Sequence, residues 1–578
     1  HGVDARWAAL KLIEGDTFAE ALAGPALTAA AEQQREAMAA ATGDDADIVI
    51  ADGRYLFVAD VMAAAVNQTR RLSNTVSHRI DAVVLNRFLG VPVFLVAMYL
   101  MFLFTINIGG AFIDFFDQAT GAILVDGLGA GLASLGTPDW MIVILTGLGS
   151  GIQTVATFVP IIACLFLFLS FLEDSGYMAR AAFVMDRAMR AIGLPGKSFV
   201  PLIVGFGCNV PAIMATRTLE SRRDRILTSM MAPFMSCGAR LPVFALFAAA
   251  FFPTNGQNVV FALYILGIVF AVLTGLVLKA TLLPGEPTPF VMELPPYHMP
   301  TARTVVLQAW QRLRDFVFRA GQVIVPMVMI LSFLNAVGTD GTFGKEDSRE
   351  SVLSHLSQGI TPIFSPMGLQ EENWPAAVGL FTGIFAKEAV VGTLNALYGQ
   401  VADQDAAAAG VPEEEAPGLG EALIAAAATI PENLLAVADS LSDPLGIDVG
   451  YVSDAAASAE ALEVDGGVFG AMAARFDGVA GAFAYMLLIL LYTPCVAALG
   501  AIRHEAGLGW TAFAAVWTTG VGYTASVAFY QVSILSRDPA SASATLTLCA
   551  VGAATALAAM WIVGRVQGRR LAAPLPAE

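Results

Sequence analysis

The sequence predicts an all-α polytopic membrane protein with about eight spanning helices and two further helices that break within the membrane. Three observations carry this. Hydrophobic residues make up 56% of the 578 positions and charged residues only 14%, too apolar a balance for ordinary soluble domains. Apolar runs of roughly twenty residues, the length that crosses a bilayer core, recur along the chain. Arginines and lysines gather between the runs in a pattern that the positive-inside rule can read.

Residues 1–87 are polar, with Trp7, Leu10 and Ile13, then Tyr55, Val58 and Met62, at helical spacing. They read as a cytoplasmic helical region and linker. Arg70, Arg71, Arg79 and Arg87 precede the first span and place the N-terminal side in the cytoplasm. Residues 88–116 lead out and 141–172 return to a basic stretch carrying Arg180, Arg187, Arg190 and Lys197. The next apolar stretch, 199–216, is interrupted by Pro201, Gly205, Gly207 and Pro211, and Arg217, Arg222, Arg223 and Arg225 follow it. Basic clusters on both flanks mark a re-entrant or broken helix, which is tolerated only where protein or a water-filled cavity covers it. Residues 226–252 and 259–283 complete a first half, 88–283, and a basic loop, 284–315, follows.

The second half repeats the scheme. Residues 316–337 lead out, and 374–398 form a second broken element entering from the opposite face, within 316–399. Residues 400–480 are acidic, and Arg475 is their only basic residue before Asp477, so they read as an extracytoplasmic insertion. Spans at 485–502, 510–532 and 544–563 fill 481–564, and the tail, 565–578, ends inside with Arg565, Arg569 and Arg570. Ten conventional spans is the alternative count. Val159-Pro160 leading to Leu169-Ser170-Phe171-Leu172 is echoed by Val325-Pro326 leading to Leu331-Ser332-Phe333-Leu334. The copies run in opposite directions, the pattern of an inverted repeat with its binding site near the midplane.

The net charge of −18 argues against a nucleic-acid partner. All five cysteines lie in apolar stretches, without the spacing of a disulfide framework. Three of them sit beside helix breakers: Cys208 in Gly205-Phe206-Gly207-Cys208-Asn209-Val210-Pro211, Cys237 in Pro233-Phe234-Met235-Ser236-Cys237-Gly238, and Cys495 after Pro494. A thiolate with opened carbonyls and the Asn209 amide suits a borderline-soft divalent ion better than Mg²⁺ or Ca²⁺. Against that stands the ordinary role of buried cysteine as a small hydrophobe, which Cys164 and Cys549 fit. Arg240 in an apolar span needs a partner, most simply a structural salt bridge. Lys387 and Glu388 lie inside the second broken element, where an ionisable pair marks function. Glu173 and Asp174 end a span as capping or gating groups, while Met178, Met185 and Met214 serve packing as readily as coordination. Gly193–Ser198 looks like the end of a phosphate loop, but Ala191 replaces its leading glycine and no strand precedes it.

The stretch Leu172-Glu173-Asp174-Ser175-Gly176-Tyr177-Met178-Ala179-Arg180, with Gly-Cys-Asn-Val-Pro-Ala, Ser-Cys-Gly-Ala-Arg-Leu-Pro, Gly383-Ile384-Phe385-Ala386-Lys387-Glu388 and Tyr492-Thr493-Pro494-Cys495, resembles the FeoB family of ferrous iron transporters. Together these motifs cover most of residues 80–535. Arg6-Trp7-Ala8-Ala9-Leu10 resembles the end of that family's helical regulatory domain, which follows a Ras-like GTPase domain. The resemblance implies Fe(II) as the transported ion and a multi-pass protein of the bacterial plasma membrane, with both termini cytoplasmic. It implies small Feo accessory proteins as partners besides membrane lipid, and leaves a homo-oligomer open. GTP and Mg(II) are expected only in a GTPase portion that these residues do not contain, so no catalytic or nucleotide-binding residue is expected in this chain. The implied metal path carries Cys208, Cys495 and Cys237 with Asn209 and Glu388. Glu173, Asp174, Met214, Ser236, Arg240 and Lys387 stand around it in gating or supporting roles. The acidic insertion departs from the family pattern. Nucleoside or proton-coupled solute transport, and a GTP-regulated membrane signalling protein, are the competing readings.

Overall fold

The computed structural model describes residues 4–572 except 44, 66–73, 87, 253–255, 286–294, 346–347, 371, 386, 388, 406–418 and 440–465. Among the described residues all regular structure is helical, apart from two isolated β-bridges. The chain divides into two compact units, residues 1–72 and 73–578.

The smaller unit holds α1 (Ala5–Glu14), α2 (Thr17–Ala23), α3 (Pro25–Thr42) and α4 (Ala46–Ala65). Its starts and stops are set locally. The Asp4 carboxylate accepts from the amides of Arg6 and Trp7, and Asp16 caps α2 in the same way. Gly15 ends α1 at φ 79°, a conformation that glycine adopts without strain. Leu12, Ala19 and Ala31 form a small core.

The larger unit opens with α5 (Asn74–Val84), α6 (Gly90–Leu103), α7 (Ile113–Gly121) and α8 (Leu128–Ser134), joined through π-helical turns at Phe104–Ile108 and Ala122–Gly127. The long α9 (Asp139–Asp174), the amphipathic α10 (Tyr177–Ala191), and the pair α11 (Phe199–Gly207) and α12 (Asn209–Ala215) follow. Next come α13 (Arg222–Met231), α14 (Leu241–Phe251), α15 (Gly256–Ala280) and α16 (Ala302–Ala336). The second half continues with α17 (Val352–Ile360), α18 (Trp374–Phe385), α19 (Ala389–Asp405), α20 (Leu419–Asp439) and α21 (Gly466–Arg475). It closes with α22 (Gly478–Leu491), α23 (Val496–Ala506), α24 (Leu508–Ser533) and α25 (Pro539–Ala572). Among the described residues, seven helical stretches are long and apolar enough to cross a membrane. An eighth, α24, is more polar but runs for 26 residues, about 39 Å at the α-helical rise.

The first span differs from its expected end near residue 116. The chain turns at Ala111 and Phe112 and continues as α7 and α8 to Ser134. The acidic insertion is also less detached than a loop reading implies, since its α20 packs on α7 and Asn433 donates to Asp114 at 2.6 Å. Its remaining described helix, α21, packs on α14 and α19.

The longest helices, α9 and α16, of 36 and 35 residues, pack on each other as an antiparallel pair. Each carries one internal proline, Pro160 and Pro326, the residues that mark the sequence repeat. The backbones meet at glycines. A Cβ on Gly151 would lie 2.8 Å from Val325 Cα, and one on Gly147 would lie 3.1 Å from Ser332 Cβ. Small residues at such a crossing are how helices approach closely where lipid offers no hydrophobic drive. Each long helix is followed in sequence by a helix pair with an interruption: α11 and α12 in the first half, α18 and α19 in the second.

Candidate functional site

Three chain breaks define the site, and each has a local cause. Pro211 cannot donate a backbone hydrogen bond and its ring crowds the carbonyl four residues back, that of Gly207. The helix therefore stops at Gly207 and restarts at Asn209, leaving Cys208 extended at φ −153°, ψ 131°. Pro494 acts alike on Leu490, so α22 ends at Leu491, and Cys495 stands extended at φ −57°, ψ 154° before α23. Between α13 and α14 the chain forms two short 3₁₀ turns, with Cys237 extended between them at φ −79°, ψ 159°. Each cysteine singled out by its sequence setting thus occupies an extended residue of an interruption, with Met235 and Tyr492 also extended in the second and third.

The interruptions lie together. A Cβ on Gly238 would come 3.9 Å from the Gly207 carbonyl, so the Cys237 and Cys208 segments are neighbours. Helix α12, which Cys208 precedes, packs on α23, which Cys495 precedes. Tyr492 lies within electrostatic reach of both Arg240 and Cys495, and Tyr264 within reach of Cys237 and Arg240. All three cysteines are half-buried. No three His, Cys, Asp or Glu side chains form a ready metal cage among the described residues.

Polar side chains cover the backbone that the breaks expose. Oriented so that donors meet acceptors, the Asn209 amide donates to the carbonyls of Ala232 at 2.8 Å and Gly205 at 3.2 Å. Arg240 is fully buried and donates to the carbonyls of Met235 at 3.1 Å and Pro233 at 3.2 Å. No described carboxylate pairs with it, so the expected salt bridge is replaced by backbone oxygens. Those oxygens are available because the 3₁₀ turns around Pro233 leave them without helical partners. Lys387 is buried, donates to the Thr493 carbonyl at 3.1 Å, and sets its ammonium 3.3 Å from the centre of the Tyr492 ring. Glu388 lies outside the described residues. Among the described residues the Thr493 hydroxyl is buried at its break without a hydrogen-bond partner, and Ser236 is buried beside the Tyr264 hydroxyl.

The other expected groups fall outside this cluster. Glu173 is exposed and pairs with Arg312 at 2.5 Å, tying the end of α9 to the start of α16, and Asp174 is half-buried beside it. Met214 lines a cavity of about 660 Å³ between α12, α16 and α23. Cys164 packs against Gly109, as its plain setting suggested.

Two arrangements were not visible in the sequence. Arg180 is buried and donates to both oxygens of Asp81, at 2.9 and 3.3 Å, and to the carbonyls of Gly176 and Pro295. Its guanidinium also lies 4.0 Å from the Tyr297 ring centre. This clamp joins α5, α10 and the loop before α16. Burial opposes ionisation of Asp81, but the hydrogen bond and charge of Arg180, with smaller help from Tyr297 and His78, hold its carboxyl below the ordinary value. The Tyr297 hydroxyl is pushed up to about 12, mainly by burial. The second arrangement is Arg217 bridging Glu505 and His504 at the cavity wall. Both depend on contacts between residues nearly a hundred or more positions apart, for which local spacing carries no signal.

Comparison with known proteins agrees with the architecture. Residues 155–251 and 317–509 match the family described as Gate, nucleoside recognition, in two stretches, one in each half. Residues 260–312 match the ferrous iron transport protein B C terminus, and residues 1–67 match the FeoB cytosolic helical domain. The Fe(2+) transporter FeoB of Escherichia coli K12 is 48% identical over 541 residues, covering 92% of this chain and 67% of that protein. This chain belongs to the FeoB family. The Legionella pneumophila (strain Paris) FeoB is 49% identical over 492 residues, covering 85% of the chain and 64% of that relative. The chain thus spans about two thirds of the length of these family members. No solved structure matches it. With its multiple apolar helices, the chain is a multi-pass protein of the inner membrane, as the family membership requires.

Proposed function

We propose that this chain is the membrane pathway of an Fe²⁺ importer, and that the ion passes Cys208, Cys237 and Cys495 on its way to the cytoplasm. One observation carries the reading: the three cysteines occupy extended residues of three neighbouring helix interruptions in the most buried part of the membrane unit. Soft thiolates select iron over the harder Mg²⁺ and Ca²⁺, and interrupted backbone at membrane depth is where transporters place ion sites. The FeoB relatives, named as Fe(2+) transporters, support the choice of ion.

The remaining roles follow in the same reading. Asn209, Arg240 and Lys387 hold the breaks open by satisfying their carbonyls, with Ser236 beside them. Glu388, next to Lys387, adds field or coordination. Glu173, Asp174 and Met214 stand on the cytoplasmic side, where both termini lie. GTP switching with Mg²⁺ in a preceding GTPase portion acts through the helices of residues 4–65, with small Feo proteins as partners. Residues 88–283 and 316–564 work as the two gate halves, and 400–480 lie outside the cell membrane.

The test is anaerobic Fe²⁺ uptake by iron-starved cells expressing the protein. Cys208→Ser and Cys495→Ser should each lower uptake by about tenfold or more, the scale on which disturbed metal ligation acts, while Cys164→Ser stays near wild type. Unchanged uptake in a well-expressed Cys208→Ser/Cys495→Ser double variant would sink the thiolate path.

A further inference from the structure

We propose that the cavity between α12, α16 and α23 is a release station, where His504 and Glu505 receive the divalent cation and Arg217 holds their ligand atoms until it arrives. The proposal deepens the transport reading above and rests on it for direction.

The cavity, of about 660 Å³, begins directly beside two of the breaks. Val210 and Val496 line it, two residues after Cys208 and one after Cys495. The cavity therefore adjoins both breaks along the chain. Most of the wall is apolar, and among the described residues Glu505 is the sole carboxylate lining it. Its side chain is only 6% exposed, which is costly for a carboxylate without a cation partner. That partner is now Arg217, whose Nε lies 2.5 Å from Glu505 Oε1.

The same guanidinium reaches His504, with Nη2 3.0 Å from Nδ1. A guanidinium has donors and no acceptor, so in the tautomer that makes this hydrogen bond Nδ1 presents its lone pair to Arg217 and the imidazole proton sits on Nε2. Nδ1 and Glu505 Oε1 stand 3.2 Å apart. In that tautomer neither donates to the other, and two lone-pair atoms are held side by side only by a positive group between them. This is the electrostatic environment of a cation site, with a tethered organic cation in place.

The ligand chemistry fits release. Imidazole and carboxylate suit Fe²⁺ but bind it less softly than thiolate, and the Met214 thioether adds a weak donor on the same wall. Arg319 and Arg503, also in the lining, keep cation affinity low. Conduction needs such a site, favourable enough to enter and weak enough to leave. Arginines cluster on this face, which the positive-inside rule assigns to the cytoplasm.

Cobalt(II) titration tests the site apart from the thiols. In purified protein carrying Cys208→Ser, Cys237→Ser and Cys495→Ser, Arg217→Ala should bind Co²⁺ at least about tenfold tighter than its Arg217 parent, because a positive charge and a competing donor are gone. The bound ion should show ligand-field bands without thiolate charge-transfer absorption. Adding Glu505→Gln or His504→Ala should remove the gain. Arg217→Gln, which keeps the stem and loses the charge, gives a second route if Arg217→Ala does not purify as a folded protein. Equal Co²⁺ affinity with and without Arg217, or a gain that survives both ligand substitutions, overturns the proposal. The thiolate path stands or falls separately, on uptake by the cysteine variants.

Discussion

Gly151 offers the sharpest test of how the two halves are joined. A methyl group there would sit 2.8 Å from Val325 Cα and 2.9 Å from the Val325 carbonyl, both backbone atoms that cannot swing away. Carbon atoms pack at about 3.5–4.0 Å, so Gly151→Ala forces α9 and α16 apart by roughly 0.7 Å. Overpacking of this kind costs about 1–3 kcal/mol. Alanine recovers about 0.5–1 kcal/mol through its better helix propensity, leaving a net loss of about 0–2.5 kcal/mol, centred near 1 kcal/mol. Gly520 in α24 is the control, because a Cβ there meets nothing within 4 Å. Thermal unfolding of purified protein in detergent, followed by tryptophan fluorescence, should rank Gly520→Ala at or above wild type and Gly151→Ala below it. Gly151→Leu should fall furthest, and Fe²⁺ uptake should fall with it. A Gly151→Ala protein that melts at or above wild type would refute the claim that backbone contact at this crossing joins the halves.

Asp81 predicts a pH effect. Its carboxyl is held below the ordinary value, so the stabilisation is complete above the usual carboxylate range and lost as pH falls through the depressed value. The melting difference between wild type and Asp81→Asn should therefore be constant near neutrality and close below about pH 4. At neutral pH, Asp81→Ala leaves the buried Arg180 without its carboxylate and should destabilise by about 3 kcal/mol in the same melting assay. Lys387→Met removes the charged donor of the Thr493 carbonyl and should lower stability by about 1.5–3 kcal/mol, again read as a melting shift. An unchanged melt in Lys387→Met would mean that the Thr493 carbonyl does not need its charged donor.

The membrane class, the spans and the broken elements were legible because they follow from chain-local chemistry. Twenty apolar residues cross a bilayer, and Pro211 and Pro494 each remove a donor at a position that can be read directly. The antiparallel partnership of α9 and α16 was visible only as an echo, Val159-Pro160 against Val325-Pro326, and the glycines that make the contact gave no separate signal. The continuation of the first span through α7 and α8 was hidden because Gly109, Gly110 and Asp114 resemble an exit from the membrane. Partners of charged residues were the least legible. Arg180 finds Asp81 ninety-nine residues away, and Arg217 finds Glu505 across 288. Spacing along a helix says nothing about either.

The break region changes meaning once those partners are known. In a bilayer a carbonyl freed at a helix break finds its partner in the protein or in water filling a protein cavity, because lipid offers none. The chain meets this need with Asn209 on Gly205 and Ala232, Arg240 on Pro233 and Met235, and Lys387 on Thr493. The Asn209 amide, the Arg240 guanidinium and the Lys387 ammonium thus each donate to backbone oxygens at the interruptions. An ammonium and a guanidinium in the same region also repel a divalent cation, so carbonyl oxygens alone would make a poor site there. A thiolate brings both negative charge and softness, and each interruption places a cysteine at an extended residue. The positive surroundings thus argue for the thiols as the groups that admit the metal, and against a path lined by backbone oxygen.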